Sequence, residues 1–122
     1  MKFLLLYQTN DKNVEAGVPP TSQMIADMGK LMEEMGKAGV LLSTEGLKPS
    51  SKGTRVRLTR GKFTVSDGPF INVKEIIAGY ALIQVRSKND AIDWTKKFLA
   101  VAGDGESEVR ELFEESDFGP KA

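Results

Sequence analysis

The tetrapeptide Asp67-Gly68-Pro69-Phe70 carries the side chains of this 122-residue sequence that are best suited to chemistry. A carboxylate at the rim of a pocket under an aromatic ring could act as a base or anchor a ligand. The same residues also suit a turn, because Asp67 can accept hydrogen bonds from backbone amides, Gly68 permits an unusual φ and Pro69 fixes the next one. This turn chemistry favours a structural role for Asp67, with the base or ligand anchor as the alternative.

Three basic residues could serve such a site as electrostatic partners. Lys74 follows the tetrapeptide closely and could reach Asp67 or an anionic ligand, although a solvated lysine is the more common outcome. Arg55 and Arg57 share one face of a predicted hairpin. They could bind an anion, but a charged face that protects an edge strand from mispairing is the favoured interpretation.

Glu45 and two tyrosines are further candidates. Glu45 lies near the end of a predicted strand, where burial would make its carboxylate a stronger base. An exposed glutamate at a strand end is an equally good alternative. Tyr7 and Tyr80 could line a ligand pocket between two sheets, or they could pack in a dimer interface.

The composition excludes several classes of function. No histidine is present, so a Ser-His-Asp triad is impossible and the commonest metal ligand is missing. The absence of cysteine excludes disulfides and thiolate metal sites, which makes a reducing cytoplasm the expected location. No cofactor is expected, since no nucleotide fingerprint or glycine-rich phosphate loop occurs. Basic and acidic residues balance at 17 each, so neither nucleic acid nor an anionic membrane is an expected partner.

The elements that must position these residues follow from hydrophobic spacing. Residues 3–7 are apolar at every position, which predicts a buried strand and is too short for a signal peptide or membrane helix. Residues 9–20 are polar and predict a loop. After a cap at Thr21 or Ser22, apolar residues recur at the spacing of a helix that ends between Gly36 and Gly39: Met24, Ile25, Met28, Leu31, Met32 and Met35.

The second half of the sequence contains the clearest hairpin. Alternating residues flank a two-residue turn at Arg60-Gly61, so that Val56 lies opposite Val65 and Leu58 opposite Phe63. The other predicted elements are strands at 40–47 and 79–86, a helix that follows a Ser87 cap and breaks at Gly103, a weak strand at 107–113 and a polar, frayed tail at 114–122.

This order predicts an α+β fold, namely a ferredoxin-like βαβ-hairpin-βαβ plan with an antiparallel sheet in one domain of residues 1–113. Two helices can cover only one face of that sheet. The other face is expected to receive Tyr7, Tyr80, Leu82 and part of the 3–6 run, which is a large apolar surface for a monomer. The sequence therefore predicts a homodimer in which a second copy covers this face.

Several motifs occur in the order and spacing of a known family: Ala38-Gly39-Val40, Glu45-Gly46-Leu47, Asp67-Gly68-Pro69-Phe70 with Lys74-Glu75, Gly79-Tyr80 and Glu108-Val109-Arg110. Over residues 2–113 the chain thereby resembles the DGPF branch of the YCII-like domains. The resemblance implies a dimeric α+β barrel. It also implies a sigma factor as a partner, because relatives are sometimes fused to sigma factors of the extracytoplasmic-function type.

The resemblance carries over a catalytic pair only in part. The YCII branch has a histidine and an aspartate proposed as catalytic, and Asp67 could be that aspartate. No histidine exists here to complete the pair. Asn72 also stands where relatives carry an acid, so a carboxylate pair built from that position is lost.

Two functions remain open from the sequence. The first is a non-catalytic dimeric module that binds a small molecule or a protein and takes part in transcriptional regulation. The second is a small enzyme of the dimeric α+β barrel type, with Asp67 or Glu45 as general base and an arginine or Lys74 as electrostatic partner. A tightly packed Asp67 turn favours the first, and a ligand-sized cleft around a buried Asp67 or Glu45 favours the second.

Overall fold

The computed structural model describes residues 1–70 and 76–119. The apolar run of residues 3–7 forms an inner strand of the main sheet. The strands are β1 (Lys2–Gln8), β2 (Leu41–Gly46), β3 (Thr54–Thr59), β4 (Lys62–Asp67), β5 (Ile77–Gln84) and β6 (Glu106–Glu111). The α-helices are α1 (Lys12–Glu15), α2 (Ser22–Lys37) and α3 (Lys88–Ala102). Short 3₁₀ helices lie at Ser50–Lys52 and Glu115–Phe118.

The main sheet has the strand order β2-β5-β1-β6, and every neighbouring pair is antiparallel. Helix α2 connects β1 to β2, and helix α3 connects β5 to β6, so two βαβ units interleave in one sheet. This confirms the predicted α+β, ferredoxin-like plan, with the β3–β4 hairpin as a separate two-stranded sheet.

The register of β1 on β5 decides which side chains enter the core. Phe3 lies opposite Ile83 and Leu5 opposite Ala81, and all four are buried beneath the helices. The helices complete this cluster with Leu31, Met35 and Ala91. Full burial of a large apolar side chain contributes about 1.5–3 kcal/mol, so this cluster is the main source of stability.

The ends of the two long helices agree with their predicted signals. The Thr21 hydroxyl accepts a hydrogen bond from the Met24 amide at 3.1 Å, and the Ser87 hydroxyl accepts one from the Asp90 amide at 3.1 Å. Gly103 ends α3 with φ of 96°. The predicted core stripe of α2 is wrong at Ile25, which is exposed because its side chain lies away from the sheet.

The hairpin forms with the predicted register. Val56 lies opposite Val65 and Leu58 opposite Phe63, around a turn in which Arg60 and Gly61 have φ of 51° and 80°. Positive φ at both turn residues matches the twist of the flanking strands. We call residues 54–67 the hairpin arm. All of its residues are exposed.

Two segments predicted as irregular contain ordered turns. Within the predicted loop of residues 9–20, Asp11 caps the single-turn helix α1 by accepting a hydrogen bond from the Asn13 amide at 2.9 Å. The predicted frayed tail is wrong for residues 115–118, which form a 3₁₀ helix. There the Glu114 amide donates to Asp117 Oδ2 at 2.8 Å, and the rings of Phe113 and Phe118 lie in tilted contact with their centroids 5.1 Å apart.

The sheet face opposite the helices is only partly covered. Alternation along β1 and β5 places Leu4, Leu6, Tyr80 and Leu82 on this face, and all four are half-buried. We call these four residues the open face. The sequence predicts Tyr7 on this face, but its ring lies on the helix-covered side, where it contacts Phe98 of α3. Among the helices of the described residues, none has the length and apolar character needed to span a bilayer.

Candidate functional site

The tetrapeptide predicted to organise a site packs tightly against the 3₁₀ turn of residues 50–52. The Gly68 amide donates to the carbonyl oxygen of Gly53 at 3.0 Å. A Cβ added to Gly68 would lie 1.8 Å from the Ser50 carbonyl oxygen, so only glycine fits at this approach. The Gly68–Pro69 peptide is cis. The turn therefore joins the base of the hairpin arm to the chain that follows β2.

Asp67 closes the hairpin arm rather than a pocket. Its Oδ1 accepts a hydrogen bond from the hydroxyl of Thr54, its cross-strand neighbour, at 3.0 Å. The residue is exposed and does not line the cleft that lies between this turn and the main sheet. This geometry is that of a strand-end pair, in which the donor is a cross-strand hydroxyl and not one of the backbone amides named by the turn interpretation.

A hydrogen-bond chain behind the tetrapeptide ties three distant segments together. The Phe70 amide donates to Ser50 Oγ at 3.1 Å, and the Ser50 hydroxyl donates in turn to Glu15 Oε2. Glu15 Oε1 also accepts from the Ser50 amide at 3.0 Å. Ser50 is buried, so this carboxylate satisfies a polar group that water cannot reach.

Phe70 and Arg55 line an open cleft of about 390 Å³ between this turn and the end of the main sheet. The Arg55 guanidinium lies over the Phe70 ring, 3.9 Å from its centroid, in cation–π contact. Lys48 and Lys52 also line the cleft. The apolar part of the wall consists of Leu47, Pro49, Ile76 and Ile77. We call this feature the Phe70 cleft.

The other predicted candidates do not converge on the Phe70 cleft. Glu45 is exposed on β2, opposite Tyr80 of β5, and the Tyr80 hydroxyl lies 3.4 Å from Ser43 Oγ. Of the two alternatives for Glu45, a buried base or an exposed glutamate at a strand end, the structure shows the exposed one. Lys74 lies outside the described residues.

Tyr7 is the candidate whose predicted position is wrong. Its ring packs edge-on against Phe98 of α3 with centroids 5.3 Å apart, and its hydroxyl donates to the Asp104 carbonyl oxygen at 3.4 Å. These contacts follow from the β1 register, in which Phe3, Leu5 and Tyr7 all point to the helices. Tyr7 thus packs inside one chain, and it lines neither the Phe70 cleft nor the open face.

Sequence reasoning missed Glu15 and Ser50, and nothing in their neighbourhoods points to them. Glu15 lies in a stretch that reads as a polar loop, and the pair is 35 residues apart in the chain. Over residues 1–70 and 76–119, no three acidic side chains come close enough together to hold a metal ion.

Comparison with known proteins places the chain in a family without assigning a reaction. The chain is similar in fold to 5-chloro-2-hydroxyhydroquinone dehydrochlorinase from Burkholderia phenoliruptrix, with a TM-score of 0.50, 8% identity and coverage of 96% of this chain and 98% of that one. It is 30% identical over 91 residues to an uncharacterized protein of Rhizobium meliloti, a match that spans 74% of this chain and 73% of that protein. A sequence model of the YCII-related domain matches residues 1–116. The chain therefore belongs to the YCII-related domain family.

Proposed function

We propose that the chain is a non-catalytic, homodimeric module that binds a small organic anion in the Phe70 cleft. The observation that carries this proposal is the pairing of three cationic side chains with an apolar wall. Lys48, Lys52 and Arg55 line one cleft with Phe70 and the buried Ile76. A ligand with a flat apolar body and a carboxylate or phenolate group would satisfy both halves of that surface.

Arg55 is the residue that would orient such a ligand. A guanidinium presents its donors in one plane, and stacking on Phe70 at 3.9 Å restricts that plane. A carboxylate close to the guanidinium would gain a charge-assisted contact, while the lysines add charge from the rim.

A binding role is supported over a catalytic one by the position of the carboxylates. Asp67 accepts a hydrogen bond from Thr54, and Glu15 accepts two from Ser50. Both are engaged in structural contacts, and the chain has no histidine to act as a base. We place the module in transcriptional regulation because domains that the sequence resembles are sometimes fused to sigma factors.

The homodimer of this proposal forms through the open face. Leu4, Leu6, Tyr80 and Leu82 lie together there at the centre of the sheet, and a second copy related by a two-fold axis would bury all four. Light scattering should give the mass of a dimer at micromolar concentration, and Leu82→Lys should give a monomer with unchanged circular dichroism. A wild-type monomer under those conditions would disprove the dimer.

A matched thermal-shift screen tests the ligand. Benzoate and 2,5-dihydroxybenzoquinone, the molecule bound to the fold neighbour, are compared with benzamide, which keeps the ring and lacks the charge. A ligand at about ten times its Kd adds about 1.4 kcal/mol to the free energy of unfolding, which raises Tm by roughly 3–6 °C at this chain length.

Two arginine variants provide the control. Arg55→Gln should abolish the shift, while Arg57→Gln should keep it, because Arg57 shares the face of β3 but does not line the cleft. Equal shifts with benzoate and benzamide, or equal losses in the two variants, would contradict an anion site at Arg55.

A further inference from the structure

The hairpin arm carries an apolar surface that no part of its own chain covers in the described residues. Val56, Leu58, Phe63 and Val65 lie on one face, and each is between 60% and 73% exposed. The register makes this face continuous, since the four side chains form two cross-strand pairs. A contiguous exposed patch of this kind marks a surface that another molecule covers.

Within a net charge of zero, two segments carry opposite charge, and we call them the basic pole (residues 48–62) and the acidic pole (residues 104–117). Residues 48–62 contain six basic residues and no acidic one, and they include the turn of the hairpin arm. Residues 104–117 contain seven acidic residues and one arginine. Poles of opposite sign on one chain attract each other between copies, and this attraction falls with added salt.

The acidic pole holds an exposed aromatic pair. Phe113 and Phe118 are 78% and 73% exposed, and their ring centroids lie 5.1 Å apart in a tilted contact. The 3₁₀ helix that ends at Phe118 is capped by the Glu114–Asp117 hydrogen bond, which holds the segment between the two rings. We call these two residues the tail pair. Its apolar surface complements the exposed face of the hairpin arm, and the negative charge of the acidic pole complements Arg60 and Lys62 at the turn of the arm.

The hairpin arm and the tail pair of one chain lie at opposite corners of the main sheet. Strand β2 forms one edge of the sheet and ends beside Gly79, and the hairpin arm follows it. Strand β6 forms the other edge, and the tail pair follows it. At that end of β6 the Leu112 amide donates to the Lys2 carbonyl oxygen. Four strands of six to eight residues span about 14 Å by about 23 Å, so the corners are about 27 Å apart. The arm does not cover its own tail pair, because the apolar side chains of both remain at least 60% exposed.

We propose that the hairpin arm of each copy packs its apolar face on the tail pair of the other copy. The inference rests on the homodimer proposed above and names a contact in it beyond the open face. A two-fold axis makes the contact twice, once for each arm, so the association closes and does not extend into a filament. The occupant of the arm is thus a second copy of this chain.

Chemical cross-linking between copies tests the contact directly, because the chain has no cysteine of its own. Lys62→Cys places one thiol on the arm, and Ser116→Cys in a tagged copy places one beside the tail pair. The two variants are mixed, exchanged and treated with a flexible bis-maleimide. The cross-linked product of Lys62→Cys and Ser116→Cys should form at least tenfold faster than the product of Lys62→Cys and Lys30→Cys. In this control the thiol lies on the exposed side of α2 instead of beside the tail pair. Equal rates would overturn the proposal.

A charge swap provides the second readout. Arg60→Glu with Lys62→Glu should weaken dimerisation at least tenfold by sedimentation, and adding Glu111→Lys with Glu114→Lys should restore most of the affinity. Circular dichroism confirms that each variant folds. If the wild type dimerises through the open face and the arm variants leave its Kd unchanged, the arm contact is wrong while the dimer stands. If the wild type is monomeric, both proposals fall.

Discussion

The main sheet and the hairpin arm are built from the same alternating pattern and end in opposite environments. In the β1–β5 pair, Phe3, Leu5, Ala81 and Ile83 are buried beneath helices α2 and α3. In the arm, the corresponding apolar face is exposed, because no helix of the described chain lies over it. Alternation therefore predicts which side chains share a face. The elements that follow in the chain decide whether that face stabilises the monomer or remains free for a partner.

The largest expected effect is a difference in the free energy of unfolding lost by truncating one apolar side chain in each of these two regions. Ile83→Ala removes buried methyl groups from the core and should lower the free energy of unfolding by about 2–5 kcal/mol. Val65→Ala removes exposed surface and should cost about 1 kcal/mol or less. Urea denaturation at concentrations where the chain is monomeric measures both. Similar losses would show that the arm is part of the monomer's core.

The junction between the two regions gives the next effect. Gly68→Ala places a methyl group against the Ser50 carbonyl and forces the backbone to move, which should cost about 2–3 kcal/mol. Gly29→Ala is the matched control, because nothing lies within 4 Å of its Cβ position inside α2. That change should raise stability by about 0.5–1 kcal/mol. A neutral Gly68→Ala would mean that the turn does not hold the arm in place.

Most of the fold could be predicted because its signals are local. The hairpin register follows from Arg60-Gly61, whose two-residue loop leaves one alignment for Val56 and Leu58. The helix starts follow from Thr21 and Ser87, which act within three residues of themselves. Order in the tail could not be predicted in this way, since it depends on the capping contact of Glu114 with Asp117 and on the tilted contact between the Phe113 and Phe118 rings.

The site was less predictable because its contacts are distant in sequence. The run of residues 3–7 is apolar throughout, so its pattern does not assign Tyr7 to a face, and only pairing with β5 does so. Glu15 and Ser50 meet only after β1, α2 and β2 are assembled. For Arg55 and Phe70, the sequence suggested candidates, while the cation–π contact depends on the turn that carries Phe70 back to β3.

A smaller effect is expected from the hydrogen-bond chain beneath that turn. Ser50→Ala leaves the Phe70 amide and a Glu15 oxygen without their partner, which should cost about 1–2 kcal/mol. Ser43→Ala on β2 is the control, because its 3.4 Å contact with Tyr80 lies at the half-exposed side of the sheet and should contribute under about 0.5 kcal/mol. Ser50→Ala should also reduce the benzoate shift, since Phe70 forms the cleft wall. An unchanged shift would show that the cleft forms without this chain.

The smallest expected effect decides the role of Asp67, the residue on which the two sequence-based functions differ. An asparagine oxygen can still accept the Thr54 hydroxyl, so Asp67→Asn should change stability by less than about 0.5 kcal/mol and leave the benzoate shift intact. Asp67→Ala removes the acceptor and should cost about 1 kcal/mol. A general base would instead lose function equally in both variants, because Asn cannot take a proton and would be as inactive as Ala. Loss of ligand binding or of any turnover in Asp67→Asn, with stability unchanged, would therefore favour the enzyme and contradict the structural turn.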